Sequence, residues 1–175
     1  MSDSALSDLV RDIPDFPIPG INFKDITTLI GNGPAFRSAI DLLTARYIGR
    51  EIDAIMGIES RGFIFSAPVA YRLGVGLIPV RKPGKLPSAT YQVAYDLEYG
   101  QDSLEMHKDA VGDGHRILIV DDLLATGGTA KAVVDLVESV GGKIEGLLFV
   151  VELDFLKGRE KFNGYTVQSL VNYSS

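Results

Sequence analysis

The sequence predicts an α/β protein: a mostly parallel central sheet with helices on both faces, a two-stranded flap, and a small N-terminal segment outside the sheet. Three observations predict this. Short apolar runs at 54–58, 77–80 and 117–120 read as strands buried on both sides, since a strand covered on both faces is continuously apolar. Apolar residues at helical spacing separate these runs, so strands and helices alternate. Residues 91–99 break the pattern with a strict two-residue period, as expected of a strand exposed on one side.

Taken in order, residues 4–11 predict a short helix with Leu6, Leu9 and Val10 on one face. Residues 13–20 predict an extended loop, because Pro14, Pro17 and Pro19 exclude regular helix. Over 34–48, Phe36, Ile40, Leu43 and Tyr47 recur at helical spacing behind Pro34, which suits a first turn. Strand 54–58, helix 63–73 closed by Gly74, and strand 77–80 form a βαβ unit, expected to be right-handed. Residues 82–90, with Pro83, Gly84 and Pro87, predict a mobile loop. It leads into the alternation of Tyr91, Val93, Tyr95, Leu97 and Tyr99 against Gln92, Ala94, Asp96 and Glu98. Residues 104–108 read as the antiparallel partner, so 82–108 forms a loop and flap standing off the sheet, a device that excludes water during chemistry. Strand 117–121 precedes a helix bearing Ala130, Val133, Val134, Val137 and Val140 on one face. Gly141 and Gly142 stop that helix, and 143–153 contains a further strand.

A length of 175 residues supports one domain with a full core, so 1–175 is read as a single domain with a distinct segment at 1–33. The absence of cysteine excludes disulfides and thiolate metal sites, and His107 and His115 are too few for a zinc cluster. The start Met-Ser-Asp-Ser-Ala has neither the basic nor the apolar region of a signal peptide. No run approaches the roughly 20 apolar residues of a membrane span, so a cytoplasmic location with no membrane partner is expected. The net charge of −6 argues against nucleic-acid binding, whose affinity comes mostly from phosphate neutralisation. It leaves room for a small anionic ligand, and Arg81, Lys82 and Lys85 do cluster.

The most informative stretch is 117–129. An apolar strand ends at Asp121 and Asp122, then Leu123, Leu124 and Ala125 lead to Thr126, Gly127, Gly128, Thr129 and a helix start. The glycines let backbone N–H groups converge on a phosphate, and a helix N-terminus adds partial positive charge. The carboxylates suit sugar hydroxyls or the water shell of magnesium. A ligand combining phosphate, sugar diol and metal satisfies all three parts. A P-loop requires Gly-x-x-x-x-Gly-Lys-Ser/Thr, which the chain lacks, and Gly74-x-Gly76 lacks the third glycine of a dinucleotide turn. A purely structural turn accounts for one glycine, not for two carboxylates, two threonines and two glycines within nine residues.

A second candidate is the motif from Gly57 through Glu59, Ser60 and Arg61 to Gly62, where a strand meets a helix at the ligand-binding end of an open sheet. An arginine at a helix start is poorly placed for the helix dipole, so a compensating anion is expected. Arg81, Lys82 and Lys85 are either a solvated charge run or a clamp on pyrophosphate. Glu98 is either the polar face of its strand or an acid–base group.

Residues 117–130 resemble the phosphoribosyl pyrophosphate signature of the type I phosphoribosyltransferases. With residues 17–26, the basic loop 81–87 and Leu97-Glu98-Tyr99-Gly100, their order and spacing resemble the adenine-specific branch from about residue 11 to 171. The resemblance implies the type I phosphoribosyltransferase fold. It also implies transfer of 5-phosphoribosyl from phosphoribosyl pyrophosphate to adenine in purine salvage, giving AMP and pyrophosphate, by a homodimer using Mg2+. Asp121 and Asp122 would face the ribose hydroxyls and reach magnesium only through water. Ala125, Thr126, Gly127, Gly128 and Thr129 would hold the 5-phosphate. Ser60, Arg61, Arg81, Lys82 and Lys85 would bind pyrophosphate, with some reaching across a dimer interface. Phe23 would stack on adenine with Leu123 against its other face, while the backbones of Asn22 and Lys24 read the base edge, making 1–33 a base-binding segment. Glu98 would manage the imidazole proton of adenine. A cis peptide is implied at Ser60–Arg61. Lys24 stands where many relatives carry arginine, and Asn22 where they carry an apolar residue. Related readings are a 6-oxopurine or orotate phosphoribosyltransferase. A ligand-sensing regulator is a different class, and the chain shows neither an added domain nor a basic face for it.

Overall fold

The computed structural model describes residues 6–96 and 101–174. In chain order the elements are β1 (Arg11–Ile13), β2 (Phe23–Asp25), α1 (Thr27–Gly31), α2 (Gly33–Ala45), β3 (Ala54–Ile58), α3 (Gly62–Leu73), β4 (Gly76–Val80), β5 (Thr90–Asp96) and β6 (Gln101–His107). Then follow β7 (Arg116–Leu124), α4 (Gly128–Ser139), β8 (Lys143–Leu153), the short 3₁₀ turns Asp154–Leu156 and Gly158–Phe162, and β9 (Val167–Tyr173). The five-stranded sheet has the order β4-β3-β7-β8-β9, and every neighbouring pair is parallel.

Continuous apolar strands need cover on both faces, and the helices supply it. Ile55, Leu118, Val120 and Leu148 face one way, against Ile40 and Leu43 of α2 and Phe65 and Val69 of α3. Met56, Ile119, Leu147 and Phe149 face the other way, against Val133, Val134 and Val137 of α4. Each such buried side chain contributes about 1.5–3 kcal/mol, so the sheet is a rigid base for the loops at its carboxyl end. Asn32 accepts the Ala35 N–H at 3.1 Å to start α2, and Gly74 ends α3 at φ +72°. Among the described residues no helix is long and apolar enough to cross a membrane.

The chain runs from β3 outward to β4, then returns to β7 on the other side of β3. The strand order therefore reverses between β3 and β7, which is where an open sheet forms its ligand crevice. The two motifs picked out in the sequence are the loops that leave these two strands.

Several expectations need correction. β7 does not stop at its carboxylates. It runs through Asp121 and Asp122 to Leu124 because β8 keeps pairing with it, Asp121 opposite Phe149 and Leu123 opposite Val151. The hairpin β5–β6 forms, but it does not stand off the sheet. Leu104 and Met106 are fully buried and, with Val93 and Tyr95, join the core beneath α4. Arg81 and Glu105 also exchange backbone hydrogen bonds at 3.0 and 2.7 Å, tying the hairpin to the end of β4.

At the N-terminus, residues 4 and 5 of the expected helix lie outside the described residues, and helical backbone ends at Ser7. Leu6 and Val10 are buried as anticipated, but β1 then pairs antiparallel with β2, Ile13 opposite Phe23. Residues 13–20 are folded into turns rather than extended. The Asp15 carboxylate accepts the Gly20 N–H at 2.7 Å, and the Phe16 N–H donates to Ile21 O at 3.1 Å. The 3₁₀ turns and β9 have no counterpart in the sequence reading.

Candidate active site

The loops after β3 and β7 enclose a cavity of about 340 Å³. Glu59, Ser60 and Arg61 line it from the first loop, and Asp121, Asp122 and residues 125–129 from the second. Lys82, Tyr95 and Leu104 close it from the basic loop and hairpin.

Asp121 and Asp122 are held against the strand end. Asp121 Oδ1 accepts the Asp122 N–H at 2.9 Å. A Cβ on Gly62 would stand 2.7 Å from that same oxygen, so glycine is what lets α3 begin against β7. Arg61 Nε lies 2.9 Å from Asp122 Oδ2, yet the contact is too poorly aligned for a hydrogen bond, and this buried oxygen has no donor. Burial, reinforced by the Asp122 charge, pushes the Asp121 carboxyl well above the ordinary range. Burial raises Asp122 as well, against the pull of Arg61. An acceptor left without a donor at a strand end fits a sugar hydroxyl or a metal-bound water. Among the described residues no cluster of three or more acidic, histidine or cysteine side chains could form a metal cage.

The loop 125–129 owes its shape to Gly127. It sits at φ +78° as the residue before α4, and no side chain caps that helix. Its first-turn N–H groups therefore have no side-chain acceptor at the cap. A Cβ on Gly127 would meet the Gly158 carbonyl oxygen at 2.8 Å, so the glycine is required by the backbone behind the loop as well as by its own φ. Gly127→Val is expected to cost roughly 1–3 kcal/mol from left-handed strain before any clash is counted. Thermal unfolding should shift down by several degrees, and affinity for a phosphate-bearing ligand at this loop should fall. Unchanged values of both would contradict this account.

The loop after β3 differs in detail from expectation. The cis peptide is Glu59–Ser60, not Ser60–Arg61. The Glu59 N–H still continues the ladder to Val80 O at 2.9 Å, and the chain reverses at the very next bond. The Glu59 carboxylate accepts Arg81 Nη2 at 2.9 Å, Arg81 Nε at 3.3 Å and the Lys82 N–H at 2.8 Å. The Arg81 guanidinium, with the Lys82 N–H, holds that carboxyl below its usual range. Arg81 also donates to Lys85 O at 3.1 Å, so it braces this corner and does not line the cavity. Lys85 is exposed and does not line it either. Lys82 does, with its ammonium paired to Asp102 and 3.5 Å from the Tyr95 hydroxyl. Of the expected pyrophosphate set, the cavity gathers Ser60, Arg61 and Lys82.

A second, more apolar cavity of about 460 Å³ adjoins the first and shares Arg61, Leu123, Ala125 and Thr126 with it. Its other walls include Asn22, Phe23, Lys24, Leu153 and Leu156. Phe23 packs edge-on against Phe16 at 5.2 Å, and the Arg61 guanidinium lies 5.2 Å over the Phe23 ring. The Lys24 ammonium pairs with Asp12 at 2.6 Å and sits 4.0 Å above the Tyr173 ring. Glu98 lies outside the described residues. Sequence reasoning missed Glu59, Tyr95, Asp102, Leu104, Leu153 and Leu156 as site residues. Only Glu59 carried a signal, as the acid between strand and arginine in a motif already singled out.

The family model described as "Phosphoribosyl transferase domain" matches residues 28–170. The chain belongs to the phosphoribosyltransferase family. It is similar to the adenine phosphoribosyltransferase of Chloroflexus aurantiacus, 62% identical over 173 residues that cover 99% of this chain and 100% of that one. Among solved structures it is similar to the adenine phosphoribosyltransferase of Thermoanaerobacter pseudethanolicus, 53% identical with a TM-score of 0.94, covering 98% of this chain and 100% of that chain. The Saccharomyces cerevisiae enzyme, solved with adenine and an imino-altritol bisphosphate, is 41% identical with a TM-score of 0.90, covering 97% and 98% of the two chains. The five-stranded parallel sheet and the antiparallel hairpin are those of a type I phosphoribosyltransferase.

Proposed function

We propose that this phosphoribosyltransferase moves 5-phosphoribosyl from phosphoribosyl pyrophosphate to adenine, giving AMP and pyrophosphate for purine salvage, in the cytoplasm. The observation that carries the reading is the meeting of the two cavities along Arg61, Leu123, Ala125 and Thr126. A sugar phosphate filling one and a planar base filling the other come together at a single point. High identity to adenine phosphoribosyltransferases over nearly the whole chain supports the choice of base.

In this mechanism residues 125–129 hold the 5-phosphate on the α4 N-terminus, and Asp121 and Asp122 accept the ribose hydroxyls. Ser60, Arg61 and Lys82 take the pyrophosphate. Positive charge growing on the sugar as pyrophosphate departs needs no covalent help, so alignment and stabilisation of the leaving charge do the work. Asp121 and Asp122 would hold Mg2+ through water, and the cation would supply further charge neutralisation on the leaving group. Phe23 and Leu123 sandwich the adenine ring while the backbones of Asn22 and Lys24 read its edge. Glu98 handles the proton on the imidazole ring as the neighbouring nitrogen attacks. Tyr95 and Leu104 help keep out water, which would otherwise capture the sugar.

A panel of nucleobases with the donor and magnesium tests the assignment. Adenine should be consumed far faster than hypoxanthine, guanine or orotate, because a wrong hydrogen-bonding pattern leaves buried polar groups unpaired. Comparable turnover of hypoxanthine overturns it. The active unit is proposed to be a homodimer, with Lys85 serving the partner's pyrophosphate site. In support, Tyr71 is 89% exposed and shares a face of α3 with exposed Ile64, and Leu77 is exposed on the edge strand β4. Light scattering should give twice the chain mass of 18.9 kDa. A fully active species of single-chain mass would remove the dimer.

A further inference from the structure

We infer that Glu152 and Arg159 are positioning residues whose ion pair holds the Gly158–Phe162 turn against the phosphate loop and so sets the loop's shape for the donor. The inference rests on reading residues 125–129 as the phosphate cradle. Neither side chain lines either cavity.

Glu152 lies on β8 in register with Leu124, the last residue of β7 before the phosphate loop begins. It is only 3% exposed. Arg159 reaches it with both ends of its guanidinium: Nε donates to Oε1 at 2.9 Å, and Nη2 bonds Oε2. The same group donates to Val167 O and to Ser169 Oγ, each at 2.9 Å. The Ser169 hydroxyl in turn donates to Glu152 Oε2 at 2.5 Å. Arg159 thus clasps both β8 and β9. Burial pushes the Glu152 carboxyl up, but Arg159 and Ser169 pull it below the ordinary range, so the pair stays charged.

Gly158, the residue next to Arg159, lies directly on the phosphate loop. A Cβ there would stand 2.1 Å from Ala125 O and 3.0 Å from both Gly127 N and the Thr126 carbonyl carbon. Phe162, 2% exposed, anchors the far end of the turn and comes within 3.2 Å of the Gly127 Cβ position. The same excursion from β8 carries Leu153 and Leu156 into the wall of the apolar cavity. One bidentate pair therefore fixes the backbone that lies against Ala125 and Gly127. Swapping such a pair for apolar groups is often neutral for stability, so its value here is geometric.

The test measures ribose 5-phosphate binding by calorimetry, with donor and adenine kinetics, in the full chain at a temperature where circular dichroism shows every variant folded. Arg159→Gln and Glu152→Gln should each weaken ribose 5-phosphate binding and raise the donor Michaelis constant by about 10- to 100-fold, a range typical of misplacement by roughly 1 Å. Turnover at saturation should change far less. The double variant should be little worse than the worse single one, since both remove the same contact. Arg159→Lys should recover part of the loss. Affinity within twofold of the original in both single variants, whatever their melting temperatures, overturns the inference. Should Arg159→Gln fail to fold, Glu152→Gln and Arg159→Lys carry the test, and unchanged affinity in both overturns the inference. Thr129→Val separates the two readings. Loss of binding in Thr129→Val with none in Arg159→Gln sinks the inference alone, whereas no loss in Thr129→Val sinks the phosphate cradle itself.

Discussion

Glu98→Gln is expected to lower kcat by about two to four powers of ten while the adenine Michaelis constant changes much less. Adenine must lose a proton from its imidazole ring as the neighbouring nitrogen attacks the anomeric carbon, and a carboxylate placed to receive that proton lowers the barrier. Glutamine keeps the shape and one hydrogen-bonding oxygen but cannot take the proton. Glu98 lies outside the described residues, and its assignment comes from the motif Leu97-Glu98-Tyr99-Gly100. The described chain on either side of it belongs to the site: Tyr95 and Leu104 line the polar cavity, and Asp102 holds the Lys82 ammonium there. A solvated strand position predicts activity within about a factor of two, the scale of a change at an uninvolved surface site. A modest fall in kcat with a large rise in the adenine Michaelis constant would mark a binding residue instead. Steady-state kinetics on a variant shown to be folded separates these outcomes.

How much of the molecule was legible in the sequence depended on whether the deciding contacts were local. Strand 54–58 was readable to the residue, because burial on both faces leaves an unbroken apolar run. The glycine turn before α4 was readable because its backbone conformation and helix start are short-range features. The extent of β7 was not, since polar Asp121 and Asp122 look like an end and only pairing with β8 carries the strand onward. β9 was missed for a related reason. Gln168 and Ser169 interrupt its apolar pattern, and their partners, Leu42 O and Glu152, are far away in sequence. The basic loop read as three equivalent cations. Glu59 distinguishes them, binding Arg81 across 22 positions and leaving Lys82 to the cavity. The hairpin's alternation was visible, but that Leu104 and Met106 would complete the core beneath α4 is a property of the packed fold.

Asp121→Asn should make the ligand-free protein more stable and the enzyme worse. The Asp121 carboxyl is disfavoured in its charged form, first by burial and then by Asp122, and its pKa lies well above the ordinary 3.8. A carboxyl whose folded pKa is raised destabilises the fold when ionised. Stability therefore rises as pH falls through the folded value and levels off below about the unfolded 3.8. Carboxyls with lowered folded values, Glu59, Asp102 and Glu152 among them, act oppositely, losing stability as pH falls below their ordinary 3.8 to 4.5. The rise from Asp121 thus comes first on acidification, above that range. In magnesium-free buffer the original chain should show a higher melting temperature on acidification from neutrality toward the ordinary carboxylate range. Asp121→Asn should begin higher and lack much of that rise. Asp122→Asn should gain less, because it also removes the partner of Arg61. Both changes should lower kcat/KM for the donor by about 10- to 150-fold, the equivalent of a charged hydrogen bond worth roughly 1.5–3 kcal/mol. Asparagine at 121 still accepts the Asp122 N–H, so the loss would report the missing charge rather than a displaced strand. A destabilised Asp121→Asn protein, or one with full donor use, would show that the acidic pair serves the fold rather than the ribose.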